Sequence, residues 1–370
     1  MGKKQLVFVG TYTEPIRFGT GKVLQGNGKG IYIYRFDSDS GKMDLLRVEE
    51  GIQNPSYLAF SQGNRRLFVV NELKKCEGSE SGALSSFSFD GEKVSLNFLN
   101  KRLTRGTDPC HVSLDRSGRF AAVANFMSGS VSVFPIMDDG SLGEATAFIQ
   151  HKGSSADPAR QAGPHAHAVI FDPLNRFMIV PDLGLDRLMV YRFDSSRGTL
   201  ELSAERCVSS LPGAGPRHLE FHSSGRFAYA VNELSSSIAA YSFDSEKAAF
   251  TELQNVPTLP ADFCGASTCA DIHISSSGEF LYASNRGHDS IACFRIDQVS
   301  GCLSPAGWEA TRGKTPRNFA IDGSGRFLLA ANQDTDSIVV FKIDGLTGKL
   351  DYTGTTIEVP TPVCIKLVDG

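Results

Sequence analysis

The sequence repeats itself with a period close to fifty residues. In most copies a turn of the type Ser-x-Gly-Arg-Phe, or a relative of it, leads into an apolar segment that ends in Asn or Asp. Self-similarity at a fixed period of this length is the signature of a repeat architecture, in which each copy forms one supersecondary unit. The strand-ending residue recurs at intervals of 47 to 57 residues, at Asn71, Asn125, Asp182, Asn232, Asn285 and Asn332.

Each copy has the pattern of four strands. One alternating segment precedes the turn, a second follows it, a third has the form Ser-Ile-x-x-[Tyr/Phe]-x-[Phe/Ile]-Asp, and the fourth is more polar. Period-two alternation, with β-branched and aromatic residues in the runs and Gly, Ser, Asn and Asp between them, indicates strands joined by tight turns. No convincing long amphipathic helix is present. Four-stranded units of this size, repeated around a ring, predict a β-propeller.

A seventh unit is split between the two ends of the chain. Residues 6–12 resemble a second strand and residues 30–37 a third, but no first strand precedes them. The missing strand is available in residues 361–367. Joining the termini in one blade closes the ring and removes exposed sheet edges. We therefore predict an all-β fold: a single domain over residues 1–370, a seven-bladed β-propeller of four-stranded antiparallel blades whose N- and C-terminal strands share one blade.

Composition excludes several classes of function. The formal net charge is −4 and no basic cluster stands out, so neither nucleic acid nor a membrane surface is an expected partner. The first apolar run covers five residues, which is short for a secretory signal. The eight cysteines include no Cys-x-x-Cys pair, which favours reduced, buried thiols over a zinc or redox site. We expect a cytoplasmic protein without a cofactor, either a monomer or a weak homo-oligomer.

Polar residues gather where a propeller would place one face of its central channel. That face receives the starts of the first strands and the ends of the second strands. Five of the eight histidines fall at first-strand starts, where charged residues also occur, and further charged residues follow second strands. The fold does not require such residues there, so they indicate a functional rim: His111, His165, His167, His218, His273, Arg217, Asp271, Arg317, Glu233 and Arg286.

The histidines admit three interpretations. His165 and His167 are two residues apart, so on a strand both side chains point to the same side. They would supply a general base with its orienting partner, bind a metal, or fill a polar channel. No further cluster with metal-ligand spacing supports a metal, and we predict none.

The arginines indicate an anionic substrate. Arg217, Arg286 and Arg317 come from three successive blades, and guanidinium groups bind carboxylate or phosphate and stabilise oxyanions. The alternative is that one or two of them only pair with Asp271 or Glu233. Glu233 itself would activate water, orient a histidine, or serve as an ion-pair partner. These parts suffice for lactone hydrolysis, whereas no serine-hydrolase elbow or dinucleotide fingerprint is present.

Four stretches carry a resemblance to a known family. They are Val9-Gly10-Thr11-Tyr12-Thr13, Gly163-Pro164-His165-Ala166-His167, Gly213-Ala214-Gly215-Pro216-Arg217-His218 followed by Val231-Asn232-Glu233-Leu234, and Ala270-Asp271-Ile272-His273 with Asn285-Arg286. Over essentially its whole length the chain resembles the 6-phosphogluconolactonase and carboxymuconate-cyclase type of seven-bladed propeller. That family contains metal-independent lactonases and cycloisomerases that act on a muconolactone ring.

The resemblance implies a catalytic set of His165 or His167, Glu233, Arg217 and Arg286. We add Arg317, His218, Asp271, His273 and His111 as expected substrate contacts. The leading hypothesis is hydrolysis of 6-phosphogluconolactone or a related aldonolactone, and the alternatives are a muconate-type cycloisomerase and a non-catalytic scaffold.

Two stretches depart from the expected pattern. The bacterial phosphogluconolactonase branch has Cys-His-Ser-Ala where this chain has residues 163–167, which leaves open whether the substrate carries a phosphate. A Gly-rich insertion at residues 14–28 is interpreted equally as a lid or as a surface excursion.

Overall fold

Seven four-stranded antiparallel sheets follow one another along the chain. The computed structural model describes residues 4–18 and 20–369, so residues 1–3, Gly19 and Gly370 of the predicted domain lie outside the described part. The innermost strands of neighbouring sheets contact one another. These sheets confirm the predicted seven-bladed propeller. Among the described residues, no helix has the length and apolar character needed to cross a membrane.

Blades are numbered here in chain order and their strands from the channel outward. The strands are Pro55–Phe60, Arg66–Asn71, Ala83–Asp90 and Ser95–Leu103 in blade 1; Pro109–Leu114, Phe120–Asn125, Ser130–Pro135 and Ala147–Gln150 in blade 2; Ile170–Phe171, Phe177–Asp182, Arg187–Asp194 and Thr199–Leu202 in blade 3, where Val208–Ser209 also pairs; Pro216–Phe221, Phe227–Asn232, Ser237–Asp244 and Ala249–Pro257 in blade 4. They continue with Thr268–Ile274, Phe280–Arg286, Ser290–Ile296 and Leu303–Ala310 in blade 5; Pro316–Ile321, Phe327–Asn332, Ser337–Ile343 and Leu350–Glu358 in blade 6; Pro362–Asp369, Lys4–Thr11, Gly30–Asp37 and Lys42–Glu50 in blade 7.

Smaller elements lie outside the blades. Ile16–Arg17 and Val23–Leu24 form a separate two-stranded hairpin. Within the described residues there are also three single-turn 3₁₀ segments: Gln62–Asn64, Ala204–Arg206 and Gln333–Thr335.

Blade 7 joins the two ends of the chain as predicted. The C-terminal strand Pro362–Asp369 is the innermost strand of the blade and pairs antiparallel with Lys4–Thr11, with Val9 opposite Ile365. Both of these side chains are buried in one apolar cluster. Because the C-terminal strand also contacts the first strands of blades 6 and 1, the ring closes without a free inner edge.

The recurring turn explains how one blade is fastened to the next. Its arginine donates to a backbone carbonyl of the following blade: Arg119 to Ser195 at 2.5 Å and Arg226 to Gln298 at 2.8 Å. The phenylalanine after it packs against a glycine of the following blade. Gly301 (φ 75°) lies so close to the Phe227 ring that an added Cβ would sit 2.4 Å from it. The Ser-x-Gly-Arg-Phe repeat is therefore an inter-blade contact.

The strand-ending asparagines hold the turns between blades. Asn285 and Asn332 each donate from Nδ2 to the carbonyl of a threonine that follows the fourth strand of the preceding blade, Thr258 and Thr311, at 3.0 Å. These buried side-chain bonds hold the turns at one face of the ring. They also fix the direction in which the residue after each asparagine projects.

Candidate active site

Two positions of most repeats project toward the channel mouth. The first is a β-bulge in the first strand, where the register slips after the proline and one residue is left unpaired, as at Arg217 and Arg317. A bulge redirects a side chain out of the regular alternation. The second is the residue after the strand-ending Asn or Asp, whose N–H donates to the carbonyl two residues before the bulge. Glu233 N to Gly215 O at 2.7 Å is one example.

This hydrogen bond settles the register of the two histidines in blade 3. The N–H of Leu183 donates to His165 O at 2.9 Å, so His167, two residues further on, occupies the position that Arg217 has in blade 4. Aligning the Gly-Pro of residues 163–164 with Gly215-Pro216 would have put His165 there instead. The sequence alone did not distinguish the two.

The strand predicted across residues 163–167 is wrong. Only an isolated bridge between Ala166 and Asp182 forms, and the first strand of blade 3 is reduced to Ile170–Phe171. The cause lies in the side chain of Asp182, whose Oδ1 accepts the N–H of His165 at 2.7 Å and takes the place of a ladder bond. Pro164 has no N–H to donate.

The two histidine rings lie against the same aromatic side chain but in different surroundings. The His165 ring stacks on Phe126 at 4.7 Å and remains partly exposed. The His167 ring meets Phe126 at 65° and is buried, with Nδ1 3.7 Å from Cys110 Sγ. Burial, together with the charge of Arg217, holds the pKa of His167 well below its usual value, so its imidazole is neutral. Of the two, His167 lines the cavity described next.

A cavity of about 290 Å³ opens at this end of the channel. Several blades and the hairpin of the 14–28 insertion contribute to its wall, which includes both signs of charge. The charged lining residues are Arg17, Lys22, Glu72, Asp108, Arg160, Glu233, Arg286, Arg317 and Asp334. The insertion is thus part of the cavity wall.

Glu233 is the centre of an arginine cluster. Its carboxylate lies 2.6 Å from Arg160 Nη2, 2.9 Å from Arg286 Nη2 and 3.2 Å from Arg217 Nε. Burial opposes ionisation, but the three guanidinium charges outweigh it and lower the pKa of Glu233 far below the usual glutamate range. A carboxylate held in this way is a poor proton acceptor, and its oxygens contact all three guanidinium groups.

Arg217 is buried behind the residues that line the cavity. It is 2% exposed, donates to Ala270 O, and lies with Nη1 3.1 Å from His218 Nε2. Burial and the charges of Arg286 and Arg317 lower its pKa to about 10. Arg217 does not line the cavity, whereas Arg286 does.

Arg160 belongs to the site although sequence analysis did not select it. It lies in the loop between blades 2 and 3, where a turn bonds Arg160 N to Asp157 O at 3.2 Å. That loop has no counterpart in the other repeats, so no repeat position marks this arginine as a rim residue. Its contact with Glu233 and its place in the cavity wall reveal it.

Arg317 is held by aromatic rings. Its guanidinium carbon lies 5.7 Å from the centre of the Tyr12 ring and 5.6 Å from that of Phe18. Phe18 belongs to the insertion, so the hairpin and blade 7 together fix this side chain. No hydrogen bond joins the Arg317 guanidinium to another residue of the described chain, although its side chain lines the cavity.

The other predicted substrate contacts lie deeper in the channel. His218 Nδ1 lies 2.8 Å from Asp271 Oδ1, and His273 Nε2 lies 3.2 Å from Asp271 Oδ2. The His111 ring packs against the His218 ring at 5.4 Å. None of these four lines the cavity, but the His218 ring is 5.3 Å from that of His167. They form a second layer beneath His167.

An acidic stretch of wall was also missed. Glu72 follows the strand-ending Asn71, and Asp108 precedes the bulge proline of blade 2, so both occupy repeat positions that sequence analysis had identified. Tyr12 donates from its hydroxyl to Glu72 Oε2 at 3.0 Å. Burial raises the pKa of Glu72, and burial with the nearby Glu72 raises that of Asp108 to about 7. Over residues 4–18 and 20–369, no three His, Cys, Asp or Glu side chains are grouped so as to hold a metal ion.

Comparisons with known proteins agree with this architecture. Residues 6–367 match the family model described as lactonase, 7-bladed β-propeller. The chain is 36% identical to a 6-phosphogluconolactonase of Bacillus subtilis strain 168, with 99% of each chain covered. It is 35% identical to a 6-phosphogluconolactonase of Formosa agariphila, covering 85% of this chain and 86% of that one. A periplasmic gluconolactonase of Pseudomonas aeruginosa with a solved structure is 35% identical, with a TM-score of 0.91 and 99% of each chain covered. These relatives favour neither the cycloisomerase nor the scaffold hypothesis.

Proposed function

The chain belongs to the seven-bladed β-propeller lactonase family and is a lactone hydrolase, and on this premise we propose that its substrate is 6-phosphogluconolactone or a close aldonolactone with an anionic group. The named relatives include enzymes for a phosphorylated and for an unphosphorylated gluconolactone. The residues of the cavity must therefore decide between the two. Hydrolysis of the phosphorylated lactone is a step of the pentose phosphate pathway, and we expect the enzyme to act in the cytoplasm.

The observation that carries the proposal is the free guanidinium of Arg317. It lines the cavity, is fixed between Tyr12 and Phe18, and has no hydrogen-bond acceptor among the described residues. An arginine held in place by ring contacts presents its planar fork to a phosphate without losing further side-chain freedom. Arg17, which lines the same cavity from the insertion, adds a second positive charge. These features favour the phosphorylated substrate.

We assign the oxyanion to the arginine cluster. The reaction places negative charge on the lactone carbonyl oxygen in the tetrahedral intermediate, and donors fixed beforehand stabilise that charge most effectively. Arg160 and Arg286 line the cavity and are both fixed by Glu233. In this assignment Glu233 and Arg217 position the two donors, while neutral His167 contributes a hydrogen bond to the substrate.

The deeper residues receive a positioning role. Asp271 fixes the ring of His218, and the His218 ring supports His167 from below. We therefore propose that His111, His218, Asp271 and His273 act on the substrate only through the orientation of His167.

Proton release in weakly buffered solution tests the proposal. Purified protein is added to fresh 6-phosphogluconolactone, gluconolactone or γ-butyrolactone, and the spontaneous rate is subtracted. We expect acceleration of the sugar lactones, with a higher kcat/KM for the phosphorylated one. A higher kcat/KM for gluconolactone would overturn the assignment of Arg317 to a phosphate, and acceleration of none of the three would overturn the substrate class.

A further inference from the structure

The carboxyl group of Asp108 is buried in the cavity wall without a hydrogen-bond partner. Asp108 is 3% exposed and lines the cavity, and its Oδ2 accepts no hydrogen bond from any residue that the structure describes. The cation near it is Lys74, whose Nζ lies 3.8 Å from Oδ2. Removing a carboxylate from water without donors costs free energy, so native proteins seldom leave one in this state. Such a group requires a functional explanation.

The backbone does not supply that explanation. Asp108 has φ 53°, and the same left-handed conformation occurs at the corresponding residues of other blades, Asn54 (φ 38°), Gly215 (φ 66°) and Thr315 (φ 60°). An asparagine, a threonine and a glycine all occupy this position in other blades, so the turn does not require a carboxylate side chain. The side chain of Asn54 accepts the N–H of Thr13 at 2.8 Å, whereas that of Asp108 has no comparable bond.

The other candidate bases of the cavity are already engaged. Glu233 is bound by three arginines, and Glu72 accepts the hydroxyl of Tyr12. Asp334 pairs with Lys22 at 2.9 Å. His167 faces the Cys110 thiol and is surrounded by guanidinium charges that disfavour protonation. Among these carboxylates, Asp108 is the one whose side chain accepts no hydrogen bond from a described residue.

We infer that Asp108 is the general base of the hydrolysis, which rests on the proposed lactonase function. The Asp108 carboxylate takes a proton from a water molecule while the oxygen of that water attacks the carbonyl carbon of the lactone. The electrons of the C=O bond move onto the carbonyl oxygen, which faces the arginines. When the tetrahedral intermediate collapses, the C=O bond re-forms and the bond to the ring oxygen breaks. The protonated Asp108 then returns the proton to this leaving oxygen, and the carboxylic acid product loses its own proton to solvent.

The charges around Asp108 suit this role. Burial and Glu72 raise its pKa and Lys74 lowers it, and the outcome is a value of about 7. The neighbouring Cys110 is kept as a neutral thiol, because burial and Glu72 raise its pKa. A base is active when deprotonated, so kcat/KM should rise with pH and level off above about pH 7. General bases are most effective when their pKa lies near the working pH.

The test is the pH profile of kcat/KM for the hydrolysed lactone from pH 5 to pH 9, with the spontaneous rate subtracted. Asp108→Asn should lower kcat/KM by roughly 10²- to 10⁴-fold and abolish the rise with pH. Asn54 in blade 1 indicates that the backbone there accepts an asparagine. Lys74→Ala should move the rise to higher pH, since it removes a charge that favours ionised Asp108. Lys75→Ala, which removes a neighbouring lysine paired with Glu80, should leave the profile unchanged.

The outcomes separate the inference about Asp108 from the lactonase assignment. An Asp108→Asn variant with wild-type rate and an unchanged profile would overturn the inference and leave the lactonase assignment standing. If that variant does not fold, an unmoved profile in Lys74→Ala overturns the inference by itself. A wild-type protein inactive on every lactone tested would overturn the proposed substrate class and the inference together.

Discussion

Arg160 Nη2 lies 2.6 Å from Glu233 Oε1, which joins a loop outside the repeat to the end of a second strand in blade 4. Arg286 reaches the same carboxylate from blade 5. With Arg217 added, three guanidinium groups surround one carboxylate, and the cluster retains a positive excess beside the cavity. Glu233 therefore determines where the positive charge of the site is placed.

Replacing Glu233 should damage both stability and activity. Glu233→Gln leaves three arginines without their buried counter-charge, and breaking a buried ion pair by removing one partner costs roughly 3–5 kcal/mol. We expect a loss of this order in the free energy of unfolding, measured by urea denaturation, and a fall in kcat/KM. Glu246→Gln, which removes an exposed partner of Arg176, should change neither quantity appreciably.

The stability difference between wild type and Glu233→Gln should also depend on pH in the acidic range. The pKa of Glu233 is lower in the folded protein than its ordinary value of 4.5, so its stabilising contribution is present above that value and is lost as the pH falls further. The stability difference between wild type and Glu233→Gln should therefore be constant above about pH 5 and shrink below about pH 4.5. A difference that grows on acidification would contradict the ion-pair geometry.

Arg317 should set the preference for a phosphorylated substrate. Arg317→Met keeps a long apolar side chain between Tyr12 and Phe18 but removes every N–H donor. We expect kcat/KM for 6-phosphogluconolactone to fall by about 10²-fold, since one charge-assisted bidentate contact is worth roughly 1.5–3 kcal/mol. The value for gluconolactone should change much less. Arg312→Met, at an exposed arginine of the loop before blade 6, is the matched control.

The fold was predictable because repeats reinforce one another. The Ser-x-Gly-Arg-Phe turn recurs because its arginine and phenylalanine contact the next blade, and the asparagine at the end of most second strands recurs because it bonds to the blade before. Each blade therefore repeats the same physical requirement in its sequence. The split blade followed from the same pattern, since the C-terminal strand completes what the N-terminal strands lack.

The site was only partly predictable, because its residues are those that the repeat does not specify. Rim positions located Glu233, Arg286, Arg317 and His167, which all line the cavity. The choice between His165 and His167 depended on the hydrogen bond from Leu183 N–H to His165 O, which sequence pattern does not display. Arg160 lies on a loop unique to one blade. His111, His218 and Asp271 were predicted at the same face of the channel. The alternation of a strand indicates which side a residue points to, but it does not indicate how deep in the channel the residue lies.

The insertion should act on substrate binding through Phe18. Phe18→Ala removes one of the two rings that fix Arg317, and a cation–π contact contributes roughly 0.5–2 kcal/mol. We expect KM for 6-phosphogluconolactone to rise about 2- to 30-fold with a smaller change in kcat, as measured by initial-rate kinetics. Val23→Ala, on the exposed part of the same hairpin, should leave KM near the wild-type value. Equal effects of the two variants would show that the hairpin acts only as a cover.

The ion pairs of His273 with Asp271 and Glu220 should make the protein less stable as the pH rises. His273 lies between Asp271 and Glu220, and although burial favours its neutral form, these two carboxylates raise its pKa to about 10. A histidine whose folded pKa exceeds its ordinary value of 6.5 stabilises the protein fully below that value and loses this contribution as the pH rises to about 10. Urea denaturation at pH 6, 8 and 10 should show that the free energy of unfolding of wild type falls by roughly 1–3 kcal/mol more than that of His273→Gln across this range. The partial exposure of the ring makes this loss smaller than the full pKa difference would give. His288→Gln, a histidine bonded to Ser290 outside the network, should retain the wild-type slope. If His273→Gln retained it as well, the ring would be neutral in the folded protein and Asp271 would be held by His218 and Asn318 alone.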